Sequence, residues 1–181
     1  MKKILYIFVL ISINTIAQTK YFTKTGHVNF EASVPSFEEV AATNISVTAI
    51  LNTENGEFAA LTFVKAFKFK NALMEEHFNE NYAESSEFPK ATFKGKIANF
   101  DFQNIGNDPT EFSINGSLTF HGVTKALENI KIEIKKEQGN IVLTGKFITL
   151  ASDYDIKIPK IVRSKLTDEV KVDLNFILEK K

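Results

Sequence analysis

Residues 72–97 concentrate the side chains that could carry chemistry. Besides His77, this segment contains the glutamates Glu75, Glu76, Glu80, Glu84 and Glu87. Two carboxylates can act as a catalytic pair if they converge and one has a raised pKa in an apolar setting. With a histidine they could also bind a metal ion. The third interpretation is a solvated helix surface, which needs neither convergence nor burial.

The spacing of these residues favours the solvated surface. At helical periodicity, Glu76 and Glu80 share one flank. Another flank carries a mostly apolar set, which comprises Leu73, Met74, His77 and Phe78. We therefore interpret the glutamates as the wet side of a short helix whose apolar side faces the protein interior.

Other sequence features that could support catalysis or cofactor binding are missing. His27, His77 and His121 have no metal-ligand spacing such as H-x-x-x-H, so no metal site is predicted. The chain has no cysteine, which excludes thiolate catalysis, Fe–S clusters and cysteine-bound zinc. It also lacks a G-x-S-x-G motif and a Gly-rich phosphate loop. The sequence therefore predicts no catalytic residue, no cofactor and no enzymatic activity.

The elements that position these residues are mainly β-strands. Apolar and polar residues alternate in runs such as Glu128–Lys136 and Val170–Leu178, as expected of half-buried antiparallel strands. Turn sequences such as Asn55-Gly56 and His121-Gly122 separate the runs. We predict about eight strands, near residues 21–32, 43–53, 57–69, 90–101, 109–120, 122–136, 139–149 and 168–179.

One short helix interrupts this pattern between the third and fourth strands. Asn71 is its expected N-cap, and apolar spacing continues to Tyr82. Eight meandering strands with one helix favour an all-β fold, a closed antiparallel up-and-down barrel. A β-sandwich is the structural alternative.

The amino terminus has the pattern of a secretory signal peptide. Lys2 and Lys3 precede an apolar run from Ile4 to Ile13, and Thr15-Ile16-Ala17 supplies small residues before a cleavage point at Gln18. An uncleaved anchor is the alternative. We predict a signal peptide in residues 1–17 and a barrel domain in residues 18–181, without a later membrane span. A periplasmic or secreted location follows.

Cleavage would leave 20 basic and 22 acidic residues, because Lys2 and Lys3 are lost from a balance of 22 and 22. The mature net charge is then about −2, which gives no long-range attraction for nucleic acid or an anionic membrane. No nucleic-acid partner is predicted.

Two runs of sequence resemble the YceI-like family. Gly116–Leu127, GSLTFHGVTKAL, resembles the family signature G-x-L-T-[IL]-x-G-V-T-[KR]-x-[IVL]. Ser85–Phe93 resembles its S-x-x-[FY]-P-x-[AI]-x-F run, and the likeness extends in order from Tyr21 to Lys181. One departure lies before the last strand, where many members have a D-F-G-I type run and this chain has Tyr154–Pro159, YDIKIP.

The resemblance implies an eight-stranded antiparallel, lipocalin-like barrel around a long apolar tunnel. Members are exported bacterial proteins that hold an isoprenoid-type or other long-chain amphiphile, and they often form homodimers. The resemblance implies no catalytic residues. His121, within the signature, is expected to brace its turn through hydrogen bonds of the ring nitrogens.

The aromatic composition suits such a tunnel. Phenylalanine occurs 17 times, against four tyrosines and no tryptophan, so most ring surfaces lack a hydrogen-bonding group. Ordinary core packing is the alternative for any single phenylalanine. The residues predicted to bind ligand are Phe63, Phe67, Phe69, Leu73, Met74, His77, Phe78, Phe93, Phe120 and Tyr154. His77, Asn81 and Tyr154 are the predicted contacts for a polar head group at the openings.

Three functions are open at this stage. The leading one is an exported lipid-binding protein that sequesters or carries an isoprenoid, a quinone-like lipid or another long-chain amphiphile. The alternative is a non-catalytic interaction or stress-related barrel protein, with a filled interior, that acts through its surface. An enzyme acting on a bound lipid ranks last, because no nucleophile and base are seen to converge.

Overall fold

Antiparallel strands dominate the computed structural model, which describes residues 19–34 and 39–181. The strands are β1 (Lys20–Ser33), β2 (Ala41–Asn52), β3 (Glu57–Phe63), β4 (Lys68–Phe69), β5 (Lys90–Ile97), β6 (Thr110–Phe120), β7 (Val123–Glu137), β8 (Asn140–Leu150) and β9 (Leu166–Lys180). The predicted signal peptide, residues 1–17, lies outside the described residues.

The sheet closes on itself. Its order is β1-β9-β8-β7-β6-β5-β3-β2, and β2 pairs with β1 again. Every long strand therefore has two neighbours, as in a barrel, and the alternative of two packed sheets is wrong. The predicted eight-stranded barrel is confirmed, and β4 is a two-residue addition that pairs with β2.

The predicted helix is also present between the third and fourth long strands, but it changes geometry within its length. α1 spans Ala72–His77 and continues as a π-helical turn over Phe78–Tyr82. Asn71 is the N-cap, because its side-chain oxygen accepts a 2.9 Å hydrogen bond from the backbone N–H of Leu73. Within the described residues, no helix has the length and apolarity that a membrane span requires.

The third strand is shorter than predicted. Instead of running over residues 57–69 it ends at Phe63, and a 3-10 turn over Val64–Ala66 leads into β4. The backbone N–H of Val64 donates to the carbonyl of Pro89, and that of Phe67 donates to Val64, which fixes the turn. This turn breaks the two-residue alternation, so Phe63 and Phe67 do not share a face as the sequence pattern predicted.

The two ends of the barrel differ in what covers them. We call the end that carries α1, the β6–β7 turn and residues 151–165 the mouth end. The opposite end, with the β2–β3, β5–β6 and β7–β8 connections, is the closed end.

Buried apolar side chains fill the closed end. The core there includes Leu51, Ile97, Ile134, Ile141 and Leu178. The β5–β6 connection covers it, because Ile105 is buried and the Phe102 ring packs against Tyr21 at a centroid distance of 5.8 Å. Burying one such aliphatic side chain contributes about 1.5–3 kcal/mol.

Glycines make room for two phenylalanine rings inside the barrel. A Cβ atom on Gly26 would lie 2.4 Å from Cδ1 of Phe176. Gly95 and Gly116 are paired across β5 and β6, and a Cβ on Gly116 would lie 2.6 Å from Cζ of Phe93. These positions therefore set where the two rings can lie.

Gly26→Val should destabilise the barrel by about 1–3 kcal/mol, because the new side chain overlaps the Phe176 ring and the neighbouring backbone. Urea denaturation measures this change. Gly106→Ala is the matched control, since nothing lies within 4 Å of its added Cβ, and it should change stability by less than about 0.5 kcal/mol. Equal stability of the two variants would contradict the packing role of Gly26.

Candidate ligand-binding cavity

Between the closed-end core and the mouth end lies an apolar cavity of about 560 Å³. All eight long strands contribute side chains to its walls, among them Val28, Ala60, Phe93, Leu118, Phe147 and Val172. The volume falls in the range of small-molecule sites, about 300–1,000 Å³. The barrel interior is therefore filled at one end and hollow at the other.

Aromatic rings form the floor of the cavity. The Phe58 ring lies 5.5 Å from that of Phe176 and 6.3 Å from that of Phe93, centroid to centroid. Phe58 and Phe176 also belong to the closed-end core. The same rings thus end the packed core and begin the cavity.

A second aromatic cluster attaches the helix to the rim. The Phe30 ring lies 5.2 Å from Phe67, 5.8 Å from Phe69 and 5.3 Å from Phe78. Phe78 also lies 5.1 Å from Phe69. Phe30 was not among the predicted ligand-binding residues, although its alternation with Val28 and Ala32 on β1 places it on the interior face. This cluster holds the apolar side of the helix over the barrel interior.

Nine of the ten predicted ligand-binding residues line the cavity, namely Phe67, Phe69, Leu73, Met74, His77, Phe78, Phe93, Phe120 and Tyr154. Their contact with a ligand stays a prediction. The structure thus brings together residues from strands, the helix and the turn after β8.

Phe63 does not belong to this group. Its side chain is 56% exposed and faces outward, with the ammonium of Lys90 5.8 Å from its ring centroid. The reason is the strand register, because the interior face of β3 carries Phe58, Ala60 and Thr62. The placement of Phe63 in the tunnel was wrong.

Few polar groups reach the cavity. Among the described residues that line it none is acidic, and those with ionisable groups are His77, Tyr82, Tyr154 and Lys165. Tyr154 is buried, and its phenol oxygen accepts a 3.2 Å hydrogen bond from Thr149. Burial raises the pKa of the Tyr154 phenol, so this group is neutral at physiological pH.

Two glutamates of the acidic cluster, Glu75 and Glu84, form hydrogen bonds that join segments of the rim, and the others are solvated. Glu76 and Glu80 are exposed, as the helical spacing predicted. Glu75 instead accepts hydrogen bonds from Lys68, at 2.5 Å, and from the backbone N–H of Phe69. The Lys68 hydrogen bond is the main cause that lowers the pKa of the Glu75 carboxyl. Within the described residues, no group of three or more potential metal ligands converges.

His121 connects two segments of the rim. Its Nε2 lies 2.7 Å from a carboxylate oxygen of Glu84, and its Nδ1 lies 2.8 Å from the carbonyl oxygen of Tyr154. The backbone at His121 is left-handed, with φ of 48°, and Gly122 follows with φ of 74°. The Phe88 ring packs on the imidazole at 4.6 Å. The interpretation of His121 as a brace is confirmed, and Glu84 is its partner.

Residues 151–165 supply further wall residues that were not predicted individually. Ile156, Ile158 and Val162 line the cavity from this segment. They lie outside any strand, and the alternation of Ile156, Lys157 and Ile158 is too short to predict one. The only signal was the departure of this segment from the family pattern.

The fold and the site define a closed β-barrel with a hollow, apolar half. The profile of the YceI-like domain matches residues 13–178, so the chain belongs to the YceI-like family. The comparison with curated proteins gave no match.

Solved structures share the fold at low sequence identity. A polyisoprenoid binding domain from Saccharophagus degradans, implicated in plant cell wall breakdown, matches with a TM-score of 0.76 and 14% identity, over 91% of this chain and 100% of that chain. BcnA from Burkholderia cenocepacia gives 0.68 and 14%, over 84% and 95%. A YCEI protein from Campylobacter jejuni gives 0.55 and 17%, over 75% and 80%.

His121→Asn should loosen the rim while tolerating the left-handed backbone, because asparagine adopts that conformation readily but cannot reach both partners. We expect a loss of about 1–3 kcal/mol in stability. Hydrogen exchange should accelerate in residues 83–88 and 151–156. Glu84→Gln keeps an acceptor for the ring and should cost less than about 1 kcal/mol. Unchanged exchange in His121→Asn would show that His121 does not brace the rim.

Proposed function

We propose that this protein binds a long-chain amphiphile, of the isoprenoid, quinone-like or similar lipid class, and shields its apolar chain from water. The observation that carries the proposal is the cavity of about 560 Å³, whose walls are almost entirely apolar. Burial of apolar surface contributes about 2.5 kcal/mol for every 100 Å². Few hydrogen bonds are available inside, so the binding energy comes from burial.

The shape of the interior orients the ligand. The closed end is filled by packed side chains, so an apolar chain enters from the mouth and lies against the Phe58 and Phe176 floor. The polar head then stays near His77 and Lys165, which line the cavity. The printed description of the Saccharophagus degradans relative, a polyisoprenoid binding domain, supports the same class of ligand.

The amino-terminal sequence supports a location outside the cytoplasm. We propose that residues 1–17 are removed as a signal peptide and that the mature protein acts in the periplasm or the medium. A binding protein of this kind sequesters or carries its lipid and needs no catalytic group. The alternative, a surface-acting barrel with a filled interior, is disfavoured by the size of the cavity.

Native mass spectrometry of the protein from its exported fraction, purified without detergent and then extracted with organic solvent, tests this function. A stoichiometric excess mass that extracts as a long-chain amphiphile is expected, on a chain that begins at Gln18. The same spectrum reports whether the chain forms the homodimer implied by its family. A protein without bound mass that takes up neither polyprenyl lipids nor fatty acids would refute the proposal.

Phe93→Asp should abolish lipid loading, because it places a charge in the apolar wall. Phe63→Asp is the matched control, since the same substitution on the outward face should leave loading intact. Ala60→Trp should lower loading by filling the cavity without adding charge. Circular dichroism checks that each variant is folded, and full loading of folded Phe93→Asp and Ala60→Trp would show that the ligand lies elsewhere.

A further inference from the structure

Exposed apolar side chains gather at the mouth end. Among the described residues, six of the seven large apolar side chains that are exposed lie in the mouth half, namely Ile45, Phe63, Leu73, Ile148, Leu150 and Ile161. Ile177, on β9, is the exception. Exposed apolar residues that are scattered singly need no explanation, so those of the mouth end are informative only where other interacting groups accompany them.

One segment of this end combines apolar and basic residues. We call residues 156–165 the basic turn, because they contain Lys157, Lys160, Arg163 and Lys165 and no acidic residue. Among the described residues, none of these four cations forms an ion pair. Ile161, between Lys160 and Arg163 in sequence, is 88% exposed.

The basic turn also borders the cavity. Ile156, Ile158 and Val162 line the cavity, while Ile161 points to solvent. An exposed apolar tip flanked by cations is the chemistry that binds the interface of an anionic bilayer, where apolar atoms enter the headgroup region and cations meet lipid phosphates.

We propose that the mouth end docks on anionic lipid bilayers through the basic turn, with Ile161 inserted among the headgroups. The docked orientation directs the cavity opening to the bilayer, a consequence that rests on the proposed lipid binding. Glu76 and Glu80 on the helix are repelled by the same surface, so the helix side tilts away. Because the chain as a whole is nearly neutral, the attraction is local and weakens with salt.

Vesicle flotation with the mature protein tests docking without reference to cargo. Binding to phosphatidylcholine vesicles that contain about 30% phosphatidylglycerol should be at least ~10-fold tighter than to pure phosphatidylcholine vesicles. Ile161→Asp and the double variant Lys160→Glu, Arg163→Glu should each lose this preference. Ile177→Asp, at the closed end, should keep it, and Glu76→Lys should strengthen it.

Two results would overturn the proposal, namely equal binding of wild type to both vesicle types, or unaltered binding of the folded Ile161 and double charge-reversal variants. If the mouth end binds a partner protein and not a bilayer, wild type should bind both vesicle types equally, which is the first of these results. Docking is measured by vesicle flotation, whereas lipid loading is measured independently by native mass spectrometry. Ala60→Trp, which should load less lipid, should still float with anionic vesicles. Docking of a wild-type protein that takes up no lipid would refute only the proposed function.

Discussion

The pairing of β1 with β2 closes the sheet into a ring, and the width of the barrel interior follows from this closure. A ring of eight strands fixes an interior just wide enough for side chains or one small ligand. Closure also pairs every long strand on both sides, so no long edge is left open. Inside that fixed circumference, the size of each inward residue decides whether the space is filled or hollow.

The interior is divided by aromatic packing. Large aliphatic side chains and the β5–β6 connection fill the closed end, while Gly26, Gly95 and Gly116 let the rings of Phe176 and Phe93 lie close to the wall. Phe58 completes the floor. Above this floor lies the cavity, which is lined by inward residues of all eight long strands. Because only the closed end is filled, the cavity has a floor at one side and the mouth end at the other.

The polar residues at the rim act as structural parts of the cavity. Asn71 and Glu75 fix the start of α1 against β4, and His121 holds residues 83–88 to the turn after β8 through Glu84 and the Tyr154 carbonyl. The carboxylates and the histidine that first suggested chemistry therefore position the rim. The wall of the cavity itself is mainly apolar.

Local signals in the sequence predicted the barrel, its eight long strands and the capped helix, because period-two alternation, turn residues and the Asn71 cap can be read without any long-range contact. It also predicted nine of the residues that line the cavity, because alternation specifies a face of a strand and helical spacing specifies a face of the helix. It misplaced Phe63, because the turn after β3 breaks that register, and it missed Phe30 and residues 156–162. The folded chain settles these points, together with the filled and hollow ends and the contact of Glu84 with His121. Each of them depends on contacts between segments distant in sequence, for which local patterns carry no signal.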